Sequence, residues 1–104
     1  MFTALVQFRL PKPITVAKAK AIFASTAPRY LSAPGLIRKY YILSEDGQTA
    51  GGVYLWASRA AAERLHNDTW RAFVRGKYGS DPQLTFFETP VLVDNASKEI
   101  VQTD

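Results

Sequence analysis

Apolar side chains change their spacing along this chain in a way that marks its elements. Phe2 to Leu10 alternates loosely between apolar and polar positions, the two-residue period of a half-buried strand. Pro11-Lys12-Pro13 ends it, because proline has no amide proton to give to a ladder. The period then lengthens. Val16, Ala19, Ile22, Phe23, Ala27 and Tyr30 recur at helical spacing behind Thr15, a natural N-cap, so this segment predicts a helix with one buried face, kinked or ended at Pro28. Pro34-Gly35 turns the chain, and Leu36–Ser44 and Gly51–Ala57, rich in β-branched and aromatic residues, flank Glu45-Asp46-Gly47-Gln48 as the two arms of a β-hairpin.

Beyond the hairpin, Ser58 caps an alanine-rich helix over Arg59–His66, with a break at Asn67-Asp68. Asp68 is expected to cap a second helical piece, Thr69–Arg75, with Trp70, Phe73 and Val74 on its apolar side and Gly76 and Gly79 ending it. Leu84–Val93 reads as the last strand, with Pro90 marking an edge or a bulge. Residues 95–104 read as a polar tail, leaving residues 1–94 as a single domain. The order is βαββαβ, an α+β, ferredoxin-like arrangement in which helices cover one face of an antiparallel four-stranded sheet. The uncovered face then calls for a partner, most simply a second copy of the chain in a homodimer.

A turn centred between Gly47 and Gln48 puts Tyr41 opposite Tyr54 and Lys39 opposite Trp56, gathering these four on one face. Glycine weakens strands, so the pair Gly51-Gly52 at the head of the second arm signals a bulge or a close approach to the backbone.

Composition removes several chemistries. There is no cysteine, hence no disulfide, thiolate ligand or cysteine nucleophile, and a single histidine argues against a protein-built transition-metal site. No flavin or heme signature is present, so the expectation is a protein without a cofactor. The apolar runs are too short to span a bilayer and the first residues lack a signal-peptide pattern, which makes the cytoplasm the default location, with no membrane partner. Lys and Arg number 13 against 9 Asp and Glu, a mild bias toward anions. The densest basic group, Arg59, Arg64, Arg71, Arg75 and Lys77, is interrupted by Glu63 and Asp68 and reads first as a solvated helix face. Base-stacking RNA modules share βαββαβ, but Ala50-Gly51-Gly52-Val53-Tyr54-Leu55-Trp56 lacks their basic residue and aromatic order, so nucleic acid is not an expected partner.

Pro34-Gly35, Lys39, Tyr41, Ser44-Glu45 and Ala50-Gly51-Gly52-Val53-Tyr54-Leu55-Trp56 together resemble the YdhR-like monooxygenase family, without a gap through the hairpin. The resemblance implies a dimeric α+β barrel, related to the antibiotic-biosynthesis monooxygenases, with an aromatic ligand between helices and sheet and oxidation by oxygen without metal or flavin. The chain departs from the family where a histidine precedes the threonine of the second helix: here Asp68 precedes Thr69, and His66 lies two residues earlier. Heme-degrading relatives carry a tryptophan and a histidine ligand near Leu65 and Arg75, and neither is kept.

His66 and Trp70 stand four apart on helical sequence, so they can share a pocket. His66 is the candidate catalytic base, able to take a phenolic proton near neutral pH; the competing reading is a solvent-facing histidine. Lys39, Tyr41, Tyr54 and Trp70 are the candidate substrate-binding residues, the rings walling a flat ligand and the ammonium meeting an anionic group; Tyr40 and Trp56 belong to the same aromatic set, with core and interface packing as the alternative. The function these imply is a cofactor-independent monooxygenase or related small enzyme acting on a hydroxylated aromatic or quinone-like molecule. The alternatives are a noncatalytic ligand-binding or stress-related dimeric module, and polyketide-cyclase-like chemistry.

Overall fold

The computed structural model describes residues 1–103. Strand β1 (Phe2–Arg9) leads to helices α1 (Val16–Thr26) and α2 (Pro28–Leu31), then to β2 (Leu36–Leu43) and β3 (Thr49–Trp56). Helices α3 (Arg59–Leu65) and α4 (Asp68–Tyr78) follow, and then β4 (Gln83–Glu88), β5 (Val91–Asp94) and β6 (Glu99–Gln102). The main sheet is antiparallel with order β2-β3-β1-β4, so the expected α+β fold with βαββαβ order and a four-stranded sheet is present.

Local chemistry sets the helix boundaries. Thr15 accepts from the Lys18 amide at 3.1 Å and starts α1; Pro28 occupies the first turn of α2, where its missing N–H is not needed. Ser58 accepts from the Ala61 amide at 3.2 Å. The cap of α4 is Asn67, which accepts from the Trp70 amide at 3.0 Å, and not Asp68 as expected; Asp68 lies in the first turn, where its charge suits the positive end of the helix. Nor does Gly76 end α4. The helix continues to Tyr78 and stops at Gly79, whose left-handed backbone (φ 85°) lets its amide close on the Arg75 carbonyl.

The hairpin differs from expectation by a register of two. Lys39 faces Tyr54 and Tyr41 faces Gly52, with an irregularity between Leu36 and Arg38, because the turn spans Ser44–Thr49 around Gly47. A shift of two leaves every side chain on its face, so the Lys39, Tyr41, Tyr54, Trp56 set survives the correction. Gly51 is there for a close approach: a Cβ on it would lie 1.8 Å from the Val6 carbonyl oxygen of β1.

Past β4 the chain departs from a single long strand. Thr89-Pro90 breaks it, and β5 pairs with β6 in a separate two-stranded sheet, so part of the segment read as a polar tail is a strand. Asp94 of β5 meets Arg38 of β2 at 3.3 Å, and Thr3 and Thr89 share a hydrogen bond at 2.5 Å, which hold this hairpin to the sheet. The core lies between the sheet and the helices, with Phe2, Ala4, Val6 and Phe8 from β1, Tyr54 and Trp56 from β3, and Trp70 and Val74 from α4. The opposite face leaves Tyr40 and Phe87 about half exposed, at 55% and 49%.

Candidate functional site

The site is built where α2 and α4 cross the β2-β3 arms. Tyr30 arrives from α2, Trp70, Phe73 and Tyr78 from α4, Lys39 and Tyr41 from β2 and Tyr54 from β3, around an enclosed cavity of about 20 Å³. Of the residues singled out in the sequence, Lys39, Tyr41, Tyr54 and Trp70 line it; His66 does not. Tyr40 points to the other face of the sheet, and Trp56 is fully buried in the core.

Lys39 is the charged centre of the arrangement. Its Nζ lies 3.4 Å from the centroid of Tyr30, 3.7 Å from that of Tyr41 and 4.5 Å from that of Tyr54, and no acidic partner pairs with it among the described residues. Burial, and next the nearby Arg29 guanidinium, bring its pKa down to about 7. The three ring faces act the other way, since their negative quadrupoles favour the ammonium. Gly52 makes room for this: a Cβ there would come 3.2 Å from Lys39 Cε and 3.0 Å from the Tyr54 ring.

Hydrogen bonds fix the tyrosines unequally. Thr26 Oγ1 donates to the Phe23 carbonyl at 3.1 Å, so at the 2.8 Å contact the Tyr41 hydroxyl is the donor to Thr26. Tyr30 Oη accepts from Trp70 Nε1 at 3.2 Å. Burial raises the pKa of Tyr41, pushes that of Tyr78 up to about 12 and raises that of Tyr54 further, so these hydroxyls stay protonated at neutral pH and serve as donors.

His66 caps α3 rather than belonging to it, and it is 6% exposed. The predicted meeting with Trp70 occurs: the two rings are edge to face with centroids 4.5 Å apart, and Tyr54 meets the imidazole at 4.7 Å. The solvent-facing alternative is excluded by that burial. Nε2 accepts from Trp56 Nε1 at 3.3 Å, which puts the proton on Nδ1, a buried atom without a partner among the described residues. Burial first, then Lys39 and Arg71, lower its pKa to about 4. A neutral imidazole whose lone pair is already engaged is a weaker proton acceptor than a free one.

Sequence reasoning missed Tyr30, Thr26, Phe73 and Tyr78 as members of this wall. Tyr30 was visible only as a helical core position. Tyr78 sits beyond the glycine that was expected to end α4, so its place depended on a helix end that proved later. The basic residues of α3 and α4 behave as a solvated face, Arg59 pairing with Glu63 at 3.6 Å and Arg75 with Asp81. Among the described residues no group of three or more His, Asp or Glu is placed to hold a metal ion, and no helix is long and apolar enough to cross a membrane.

Comparison with known proteins agrees with this architecture. Among solved structures, the chain is similar to a monooxygenase from the gene ActVA-Orf6 of Streptomyces coelicolor, in complex with the ligand nanaomycin D, at 22% identity, TM-score 0.64, covering 85% of this chain and 86% of that one. It is also similar to SnoaB, a cofactor-independent oxygenase from Streptomyces nogalater, at 19% identity and TM-score 0.62, covering 85% and 91%. A third, a protein of unknown function from Nitrosomonas europaea, matches at 18% identity and TM-score 0.62, covering 85% and 87%. At these identities the likeness speaks to the fold alone. No curated protein matches the sequence. The family model described as "Putative mono-oxygenase ydhR" matches residues 5–80, which spans the site from β1 to the end of α4, and the chain belongs to that family.

Proposed function

We propose that this protein is a small oxygenase that binds a hydroxylated aromatic or quinone-like molecule on the helix-covered face of the sheet, with an oxygen of the ligand at Lys39. One observation carries this reading: a lysine amine without an acidic partner among the described residues, caged by three tyrosine rings beside a cavity. An ammonium held in that way is free to take an anionic oxygen, and it lowers the pKa of a phenol that replaces water beside it. The resulting phenolate is electron-rich enough to react with oxygen. In an anthrone-type ligand the methylene carbon loses two hydrogens and gains one oxygen atom, the second oxygen leaves as water, and the ligand supplies all four electrons, so no further reductant enters the balance. Tyr54 and Tyr78, protonated at neutral pH, orient the ligand; His66 and Trp56 hold Trp70 and Tyr54 in place from behind. The binding of nanaomycin D by the Streptomyces coelicolor relative supports a small-molecule ligand here.

The test is oxygen uptake with a panel of hydroxylated anthrones and hydroquinones. Protein-dependent uptake of one oxygen molecule per ligand, lost in Lys39→Met, supports an oxygenase. Tight binding without uptake assigns the protein to the noncatalytic, ligand-sequestering alternative. We further propose a homodimer joined through the face that carries Tyr40 and Phe87; sedimentation equilibrium giving a stable monomer at micromolar concentration overturns it.

A further inference from the structure

Tyr41 borders three spaces at once. The enclosed cavity beside Lys39 holds about 20 Å³, which is room for about one water molecule. Across the Tyr41 ring, between α1 and β2, runs an open and largely apolar groove of about 500 Å³. Small-molecule sites run to roughly 300–1,000 Å³, so the groove is of ligand size and the cavity is not. A hollow of about 200 Å³ reaches Tyr41 and Lys39 from a third side. Tyr41 is the one residue that lines all three spaces, so its ring stands between the ligand-sized groove and the cavity beside Lys39.

We propose that Tyr41 is the gate of the site, and that the groove between α1 and β2 takes the apolar body of an aromatic amphiphile whose anionic oxygen reaches Lys39 when the ring swings aside. This rests on the ligand-binding role of Lys39 given above. The ring is held by a stack on Phe23 at 4.9 Å, an edge contact with Tyr30 at 6.3 Å, the Thr26 hydrogen bond and Lys39 over its face. Its partner across the ladder is Gly52, so no side chain of β3 pins it. Strand β2 is the edge of the sheet, which leaves the groove uncovered by a further strand. Ala24 and Ala27 give the groove small side chains along α1, and Val16 at its end is 76% exposed. The charge is one-sided. Helix α1 carries Lys18 and Lys20 and no acid, Lys20 lines the groove, and among the described residues neither Asp nor Glu lines any of the three spaces. An anionic head with a flat apolar body is the ligand that fits both properties.

The test uses two fluorescent probes of similar size, 8-anilinonaphthalene-1-sulfonate and the uncharged N-phenyl-1-naphthylamine, by stopped-flow and equilibrium titration. Ala24→Trp, which fills the groove, is expected to weaken both probes about tenfold or more, since it removes the apolar contact. Tyr41→Ala is expected to speed sulfonate association about tenfold, and Lys39→Met to abolish the preference for the sulfonate over the neutral probe while leaving the latter bound. Should Tyr41→Ala fail to fold by circular dichroism, Tyr41→Phe keeps the ring, loses only the Thr26 bond and is expected to associate about threefold faster. Affinities within twofold of wild type in Ala24→Trp, with unchanged association in the Tyr41 variants, overturn the gate; a sulfonate preference that still disappears in Lys39→Met then leaves the Lys39 reading standing. A groove that binds both probes with a preference indifferent to Lys39 overturns the link between the two.

Discussion

Replacing Lys39 by methionine separates a residue kept for packing from one kept for chemistry. The sulfur-containing side chain retains the apolar stem and removes the charge, so the change isolates the ammonium in its ring cage. With its pKa brought from 10.5 to about 7 by burial and Arg29, the ammonium form is disfavoured in the folded state by roughly 5 kcal/mol as an upper bound. The three rings offset part of this, at about 1 kcal/mol each, and partial contact with solvent screens more. The remainder is a net penalty of about 1–2 kcal/mol, so at pH 6 Lys39→Met is expected to be the more stable protein by that amount in urea unfolding. The sign of the pH dependence follows from the depressed pKa. Between about 7 and 10.5 the unfolded chain holds the proton that the folded chain has released, so wild-type stability rises with pH through that window and the gap to Lys39→Met closes near its top. A variant less stable than wild type by more than about 1 kcal/mol, with an unchanged urea slope, refutes the reasoning and makes Lys39 a structural cation whose cage holds the helices to the sheet.

His66 has its pKa lowered to about 4 from 6.5, so its contribution to stability should be constant above about pH 6.5 and fall by about 3 kcal/mol as pH drops to 4, when the unfolded chain gains a proton the folded one resists; urea midpoints in His66→Leu should lack this slope. Gly51→Ala drives a Cβ into the Val6 carbonyl and is expected to destabilise by about 2 kcal/mol or more, whereas Gly76→Ala, with nothing within 4 Å on the interior of α4, should stabilise by about 0.5–1 kcal/mol, and the two melting shifts must have opposite signs. Trp70→Phe removes the donor to Tyr30 while keeping a ring, and should loosen the site with a fall of about 1 kcal/mol, read as altered probe binding and a lower melting temperature.

What the sequence made legible was whatever depends on side-chain period. The face shared by Lys39, Tyr41 and Tyr54 came from the two-residue period of a strand, and it survived a register error because the error was an even number. The pairing of His66 with Trp70 came from helical spacing, yet the break between α3 and α4 lies between them, so their contact owes as much to Asn67 restarting the helix at once as to the spacing. What stayed hidden depends on contacts between elements remote in sequence. Tyr30 reaches the site because Pro28 restarts a short helix over β2, and the bond from Trp56 to His66 joins a strand to a helix cap; neither has a local signature. The β5-β6 hairpin was missed because Pro90 was read as a fault within one strand, and the short apolar pair Ile100-Val101 is too brief to register as a strand against its polar neighbours.

Lys39, which lines the cavity, and His66, which lies outside it, are moved in the same direction by the same cause. Burial lowers the pKa of both His66 and Lys39; the imidazole also feels the Lys39 and Arg71 charges, and Lys39 feels that of Arg29. A base useful at neutral pH must keep its free lone pair facing the ligand and its pKa near 7. His66 meets neither condition, with Nε2 bonded to Trp56 and its pKa lowered to about 4, while Lys39 lines the cavity and enters the proposal as an ammonium and not as a base. Neutral His66 also spares the site a second positive charge, which would drive Lys39 lower and weaken the ammonium it needs for an anionic ligand. We propose for the histidine a packing role instead, as a flat neutral ring set edge to face against Trp56, Tyr54 and Trp70.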